Sequence, residues 1–244
     1  MPSTLSRFRH QVTSAAQAFS RSRGTEHEPQ TPTASKVRLL NDVAAAERVS
    51  ELSDGCDWLV DGFDNLDRLI QDYIAAVPLA KQDGKADAEQ FLEWLATHHE
   101  LSEEQRDAII CQQSRYTVEF LAMKKRLSNA RFQELLSNNS RLLRELSHNR
   151  TIRIHLNPAH VWASLETREF LDESTRIPAR VLFYLAKDKV CGAVIGEELQ
   201  LLFRKLQRGP RSLSDLRWVM PRHGDWDLMD VLRELAQLGI IALA

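Results

Sequence analysis

The sequence predicts a mainly α protein, in which a helical bundle is followed by a C-terminal module of short helices with a few short strands. Two observations support this fold class. Apolar residues recur at a spacing of about 3.6 residues through most of the first 150 positions, which is typical of amphipathic helices. Near residue 151 the pattern changes to strict alternation, and the last 50 or so residues combine three short helical stretches with a terminal apolar run. We expect a boundary near residue 150.

Composition and charge limit the possible functions. Hydrophobic residues make up 43% and charged residues 27% of the 244 positions, a balance typical of globular proteins. The formal net charge of -2 means that phosphate contacts could come only from a local basic patch. No apolar run approaches the roughly 18 residues that span a bilayer, so no membrane contact is expected.

The three cysteines are Cys56, Cys111 and Cys191, which lie far apart and in no Cys-x-x-Cys pair. An odd, sparse set is typical of reduced compartments, where cysteine acts as a small buried apolar residue. We therefore expect structural thiols and a cytoplasmic protein.

Residues 1–35 are predicted to be a flexible basic N-terminal segment. The first 24 residues contain Arg7, Arg9, Arg21 and Arg23 and no acidic residue, and a Thr- and Pro-rich stretch follows. A short basic helix on a tether explains this composition, and so does an organellar presequence. Both interpretations stay open.

Residues 36–150 predict the helical bundle. One amphipathic helix covers 36–53, a second keeps its period over 58–77 until Pro78, and a short one covers 88–97. Ser102 followed by Gln105 predicts a capping box, and the helix that it begins is expected to run past residue 125. A further helix is expected over 131–146, and the short connections favour a bundle.

The chain between residues 151 and 189 contains one predicted strand and one predicted helix. Residues 151–156 alternate apolar and polar side chains and end at Asn157-Pro158, which predicts a strand. After Pro178 we expect a helix over 179–186 that ends at 187–189.

The last part of the chain, within the predicted domain 151–244, resembles a winged helix. A helix over 197–207 ends at Gly209-Pro210, Ser212 caps a second helix, and Asp225 caps a third. Gly239 ends the third helix, and the apolar run 240–243 predicts a strand. Many proteins of different function share this fold, so the resemblance concerns fold more than function.

The charge of the predicted third helix disfavours DNA binding. Winged helices that bind DNA place this helix in the major groove. Residues 225–238 contain four acidic residues and one arginine, a balance of -3, whereas residues 203–222 have a balance of +5. The basic face therefore lies on the other helices. A transcription regulator that binds DNA through them is the alternative function.

Two stretches resemble the winged-helix peptide-recognition modules of ribosomal-peptide maturation systems. They are Gly209–Leu216, with the sequence GPRSLSDL, and Leu232–Ile240, with the sequence LRELAQLGI. In that family a leader peptide adds a strand to a sheet edge and packs on the third helix. Those modules usually have three strands before the helices, whereas here only residues 151–156 are a visible candidate.

The whole chain is also similar to the partner subunits that accompany multinuclear iron enzymes acting on carrier peptides. This resemblance implies a non-catalytic adaptor that binds a peptide or protein segment and presents it to an enzyme subunit. The expected partners are thus an enzyme subunit, a peptide or both, and nucleic acid is disfavoured. No cofactor is expected.

The residues expected to bind a peptide or partner lie mostly in the terminal helices. Four basic side chains suit an acidic segment, and two tryptophans are candidate apolar anchors: Arg204, Arg208, Arg211, Arg217, Trp218 and Trp226. Core packing is the alternative for both tryptophans, and more strongly for Trp226.

Three further candidates lie in the run His155–Trp162. His155 and His160 flank a tight turn, where they could order the turn, contact a partner or share a metal with remote acidic residues. A metal site needs further ligands that are not adjacent in sequence, so none is predicted. Trp162 is expected to anchor an interface. The sequence contains no His-Glu-x-x-His, Gly-x-Ser-x-Gly or Walker motif, and no catalytic residue is predicted.

Charge is segregated along the helical part. Residues 42–107 contain 17 acidic and 5 basic residues, whereas residues 115–153 contain 9 basic and 3 acidic residues. Solvated helix faces explain this pattern, and so does electrostatic steering of a charged partner.

Overall fold

The computed structural model describes residues 34–77, 84–217 and 227–244. The described residues are mainly helical and contain two three-stranded sheets, so the prediction of a mainly α protein with a few short strands is confirmed. The basic segment 1–33, Trp218, Asp225 and Trp226 lie outside the described residues.

The described chain forms two compact units. The N-terminal unit contains residues 34–112 and the C-terminal unit contains residues 113–244, so the division falls within a helix. Each unit has its own set of buried apolar side chains.

The N-terminal unit consists of helices. They are α1 (Ala34–Gly55), a 3-10 turn (Asp57–Leu59), α2 (Leu66–Ala76), α3 (Gly84–His98) and the first half of α4 (Glu103–Lys124). Helix α1 packs against both α2 and α3. The apolar residues predicted to face inward are buried, among them Leu59, Ile70, Phe91 and Leu95.

The predicted helix over 58–77 is interrupted, and that expectation was wrong. A turn separates the 3-10 turn from α2 and contains Gly62, where an added Cβ would lie 2.7 Å from the Ala108 Cβ. The apolar spacing continued across this turn because both parts face the same core. Periodicity therefore could not reveal the break.

A buried charged cluster joins α1, α2 and α3. The Arg48 Nε and Nη2 atoms donate to the Asp87 carboxylate at 2.7 Å each, and Arg48 Nη1 donates to Val77 O. The Tyr73 hydroxyl donates to Asp87 Oδ1 at 2.7 Å, and its ring lies against the Arg48 guanidinium. These interactions connect α1, α2 and α3.

Side-chain caps fix the entry to α4. Ser102 Oγ accepts from Gln105 N at 3.2 Å and Gln105 Oε1 accepts from Ser102 N at 3.0 Å, which forms the predicted capping box. Further along α4, buried Gln112 accepts from Trp58 N and donates to Gly55 O. The amide thereby satisfies backbone groups in the turn after α1.

The C-terminal unit begins with the end of α4, followed by α5 (Arg126–Leu136) and α6 (Asn139–Glu145). The sequence had predicted one helix running past residue 125 and a single helix over 131–146, and both expectations were wrong. Helix α4 ends at Lys124, and the later stretch is two helices with a bend at residues 137–138. Both α5 and α6 pack against the C-terminal strand.

The strands within the described residues form two sheets. The first has the order β5-β1-β6, made of β1 (Arg153–Leu156), β5 (Arg211–Ser212) and β6 (Ile241–Leu243). The second has the order β2-β3-β4, made of β2 (His160–Leu165), β3 (Ala179–Ala186) and β4 (Lys189–Val194). All pairs are antiparallel.

The predicted helix over 179–186 is the central strand β3, so that expectation was wrong. Every residue from Val181 to Leu185 is buried, because both faces of the strand are covered. A strand buried on both faces is a continuous apolar run, which periodicity cannot distinguish from a buried helix.

The turn from β3 to β4 explains why these strands pair. Lys187 and Asp188 have φ angles of 48° and 63°, and Ala186 pairs with Lys189 on either side. Two central residues with positive φ define the hairpin turn that matches the twist of antiparallel strands.

After β4, the described part of the C-terminal unit contains the helices α7 (Gln200–Gln207), α8 (Leu213–Arg217) and α9 (Leu228–Gln237). One core joins them to both sheets, with Leu182 and Tyr184 from β3, Phe203 from α7 and Leu232 from α9. Gly239 has a φ of 77°, which ends α9 before β6 as predicted.

Across the ranges 34–77, 84–217 and 227–244, no helix combines the length and the apolar character that crossing a bilayer requires.

Candidate functional site

Strand β4 is an open edge of the second sheet. Within the described residues it pairs with β3 alone, and four of its six residues are half-buried. Its centre is Cys191-Gly192-Ala193, a run of small side chains. Small residues allow another backbone to approach closely, which is the geometry of strand addition.

The hydrogen-bond pattern identifies the groups that β4 leaves open. Ile195 N donates to Arg180 O, one position beyond the Val181–Val194 pair. Because bonding alternates along an antiparallel pair, the N–H and C=O groups of Val190, Gly192 and Val194 point away from β3. The edge therefore offers a set of backbone donors and acceptors to an added strand.

Helix α9 presents acidic side chains to solvent. Its N-cap is Asp227, whose Oδ1 accepts from Met229 N at 2.9 Å, so the prediction that Asp225 caps this helix was wrong by two residues. Asp230 and Arg233 are exposed and form an ion pair, while Val231 and Leu232 lie in the core. An exposed acidic face would repel phosphates at a DNA groove.

The four predicted arginines occupy different environments. Arg204, Arg208 and Arg217 are exposed on α7, just after it and on α8. Arg211 is half-buried in β5, and its Nε donates to Lys205 O at 3.4 Å. The described interactions do not bring these four side chains together in one cleft. Trp218 and Trp226, the two predicted anchors, lie outside the described residues.

A second capping box fixes the start of α8, as predicted for Ser212. Ser212 Oγ accepts from Asp215 N at 3.2 Å, and Asp215 Oδ2 accepts from Ser212 N at 3.0 Å. Hydrogen bonds from Ser212 lower the pKa of Asp215, and Arg153 lies 3.7 Å from the same carboxylate. Asp215 is therefore ionised at neutral pH and has structural partners.

The turn between His155 and His160 is held by Asn157, which sequence reasoning did not single out. Asn157 is fully buried, and its Nδ2 donates to Leu185 O at 2.7 Å and Gly239 O at 3.2 Å. Its Oδ1 accepts from Ala159 N at 3.0 Å. The Asn-Pro pair did mark a turn, but nothing in the sequence indicated which distant carbonyls the amide would meet.

Both histidines are held in a basic environment. Burial, and then the charge of Arg131, lowers the pKa of His155. Burial and the charge of Lys125 lower the pKa of His160, against a smaller opposite effect of its 2.6 Å contact with Asn157 O. Neutral imidazoles beside cations order this turn, and among the described residues no group of three or more His, Cys, Asp or Glu side chains could hold a metal ion.

Trp162 is half-buried and packs against the C-terminal core. Its ring meets Phe203 edge-on at 5.2 Å, and the Arg180 guanidinium lies 4.7 Å from the ring centre. The indole Nε1 is buried and has no hydrogen-bond partner among the described residues. The ring thus contributes to packing between β2 and α7.

The thiols have the character expected of structural cysteines. Burial raises the pKa of both Cys111 and Cys191, so each stays protonated at neutral pH. A protonated thiol is a poor nucleophile and a poor metal ligand.

Comparison with known proteins adds no relative: no family model, curated protein or solved structure matches this chain.

Proposed function

We propose that the protein is a non-catalytic adaptor whose C-terminal unit binds a peptide by adding it as a strand to β4. The observation that supports this most directly is the order of elements. Three antiparallel strands, β2 to β4, precede α7, α8 and α9. That order is the one implied by the resemblance to the peptide-recognition modules of ribosomal-peptide maturation systems.

The backbone N–H and C=O groups of β4 that point away from β3 would provide the affinity for the peptide. The outward backbone groups of Val190, Gly192 and Val194 can each pair with an extended peptide, and alternate side chains of that peptide would contact the half-buried apolar residues of the strand. The exposed Arg204, Arg208 and Arg217 would favour an acidic peptide through steering. In this role the protein would present the peptide to an enzyme subunit in natural-product peptide biosynthesis.

Photo-crosslinking in the native host tests the proposal. A benzoylphenylalanine at position 190 is expected to form adducts with one peptide segment, identified by mass spectrometry, whereas the same group at exposed Ser140 on α6 is not. Equal adducts at both positions, or none at position 190, would refute strand addition at β4.

A substitution pair separates strand addition from general surface contact. Gly192→Pro removes an outward N–H, and Gly192→Ala keeps it. We expect the proline to abolish the position-190 adduct and the alanine to preserve it. Circular dichroism on both variants controls for folding.

The alternative function, a regulator that binds DNA through the basic helices, has a separate readout. Gel shifts with random duplex at two salt concentrations would show tight, steeply salt-dependent binding in that case. Such binding, weakened by Arg204→Glu and Arg208→Glu, would contradict the adaptor proposal.

A further inference from the structure

The junction of α4 and α5 carries an exposed apolar stripe, defined as Phe120, Met123 and Leu127. Their exposed fractions are 53%, 63% and 87%, which makes Leu127 the most exposed large apolar side chain described. Lys125 separates the two helices, and hydrogen bonds from Lys125 N to Leu121 O and from Asn129 N to Lys125 O keep their ends together. Phe120 and Met123 share one face of α4, and Leu127 follows in the first turn of α5.

Cations surround this stripe. The basic rim consists of the exposed residues Lys124, Lys125, Arg126 and Arg131. The Lys124 ammonium lies 5.7 Å from the centre of the Phe120 ring, and the Lys125 ammonium donates to Pro158 O at 3.0 Å. Two acidic side chains lie close in sequence. Glu119 pairs with Arg115 at 3.1 Å, and exposed Glu134 lies three residues after Arg131, beyond the end of the stripe.

We propose that the apolar stripe and the basic rim form a docking surface for an acidic amphipathic helix of a partner protein. Charge complementarity selects an acidic partner, since the rim places at least three positive charges within five residues of Leu127. A helix fits because Phe120 and Met123 are one turn apart on α4 and Leu127 follows in the first turn of α5, a short apolar row that suits the apolar face of a bound helix.

Two other occupants fit less well. Membrane-surface binding requires a long apolar helix face. Here the apolar stripe contains three residues, Tyr116 one turn before it on the same face is buried, and so is Val118 on the opposite side of α4. The phosphates of a nucleic acid would bind the basic rim, but the exposed Met123 and Leu127 would not contribute to that binding. Exposed apolar side chains with a charged rim are instead the usual layout of a protein interface.

The test measures binding of a synthetic probe to the full-length protein by fluorescence anisotropy. The probe is a labelled, helix-forming Ala/Glu peptide of about 20 residues with leucine on one face. One control peptide replaces every Glu with Lys, and the other replaces every Leu with Ser. We expect binding of the acidic amphipathic probe and at least about tenfold weaker binding of each control.

Variants of the protein assign the binding to the surface. Leu127→Ser and the pair Lys124→Glu/Arg126→Glu are each expected to weaken binding about tenfold, and the effect of the charge pair should shrink at high salt. Leu201→Ser on α7 and Arg68→Glu on α2 are matched controls, since both side chains are exposed elsewhere, and should leave binding unchanged.

Several results would overturn the proposal. They are no binding of the acidic probe, equal binding of the Lys peptide, and equal weakening by Leu201→Ser. Binding to phosphatidylserine vesicles in place of the probe, lost in Leu127→Ser, would assign the stripe to a membrane. A concentration-dependent mass in sedimentation, also lost in that variant, would assign it to a second copy. The surface is separate from β4, so neither test decides the other.

Discussion

Asn157 lies where the β1–β2 turn, the end of β3 and the α9–β6 turn meet. Its side-chain amide donates hydrogen bonds to two carbonyls and accepts one from a backbone N–H, at positions where strand pairing supplies no partner. Asn139 has the same role beside β6, where it bonds Ala236 O, Ile241 O and Leu243 N. A buried backbone group left without a partner is costly, so these amides stabilise the unit.

Asn157→Ala is expected to destabilise the protein by about 2–4 kcal/mol, because it leaves buried backbone groups unpaired. Asn138→Ala, at an exposed position just before α6 where the side chain caps no backbone group, should change the free energy of unfolding by less than about 0.5 kcal/mol. Urea unfolding followed by circular dichroism measures both values. Equal stability of the two variants would mean that the Asn157 amide is not a structural support.

Arg48 and Asp87 form a buried ion pair in which each group depends on the other. Arg48→Met leaves the carboxylate buried without its partner, and we expect a loss of about 3 kcal/mol in unfolding free energy. Arg68→Met breaks an exposed pair with Asp72, whose atoms are 3.8 Å apart, and should cost less than about 0.5 kcal/mol. Urea unfolding of both variants gives the two losses in unfolding free energy, and their ratio tests how strongly burial determines the contribution of an ion pair to stability.

Acid should weaken the N-terminal unit through Asp87. Hydrogen bonds from Arg48, and then from Tyr73, hold the pKa of Asp87 below its ordinary value of 3.8. The carboxylate therefore contributes stability that is present above that value and is lost as the pH falls through the lower folded-state pKa. Burial and the bond to Asp87 raise the pKa of Tyr73 to about 12, so its phenol remains a donor throughout.

Asp87→Asn should lower stability at neutral pH and flatten the loss of stability between about pH 4 and pH 2. Unfolding free energies over that range, compared with the unsubstituted protein, provide the measurement. An unchanged acid dependence would show that other carboxylates dominate.

Among the secondary-structure elements, the β3–β4 hairpin depends on two residues held at positive φ. Side chains other than Gly and Asn are strained there, and Lys187 and Asp188 both have such φ values. Lys187→Asn/Asp188→Gly should stabilise the protein by about 0.5–1 kcal/mol, and Lys187→Val/Asp188→Val should destabilise it by more. Thermal unfolding of both variants tests the turn, and equal midpoints for the two variants would contradict a turn that requires positive φ.

The secondary-structure elements that could be predicted are those fixed by residues close together in sequence. Ser102 and Ser212 were both expected to cap helices, and each caps one through bonds within three residues. The strand at residues 153–156 and the terminal strand also follow from local patterns. Strand β3 was not predictable, because its apolar run fits a buried helix equally well and only pairing with β2 and β4 decides between them.

The candidate site was predictable in part. The acidic character of α9 and the exposure of Arg204, Arg208 and Arg217 follow from residue types and helical spacing. The open edge of β4 was not visible in the sequence, since an edge is defined by the absence of a neighbouring strand. The apolar stripe was equally hidden, because Phe120 lies one turn after Tyr116 on the same face of α4, and helical spacing does not show that Tyr116 is buried and Phe120 exposed.

Across the molecule, the two units should respond separately to substitutions in their cores. Arg48→Met is expected to increase hydrogen exchange mainly within residues 34–112, and Asn157→Ala mainly within residues 113–244. Mass spectrometry of exchanged peptides gives the comparison. Uniform acceleration along the described chain by either variant would show that the units unfold together.

Local sequence was enough to show where α4 and α8 begin, which helix faces are apolar and how charge is distributed along the chain. Capping and amphipathic spacing involve residues three or four positions apart, so they can be recognised in the amino-acid sequence alone. Only folding in three dimensions made residues 179–186 a strand, left β4 as an open edge and buried Asn157 among distant carbonyls. Strand β2 pairs with β3 across 14 to 24 positions, and the Asn157 amide bonds carbonyls 28 and 82 positions away, interactions that no local pattern encodes.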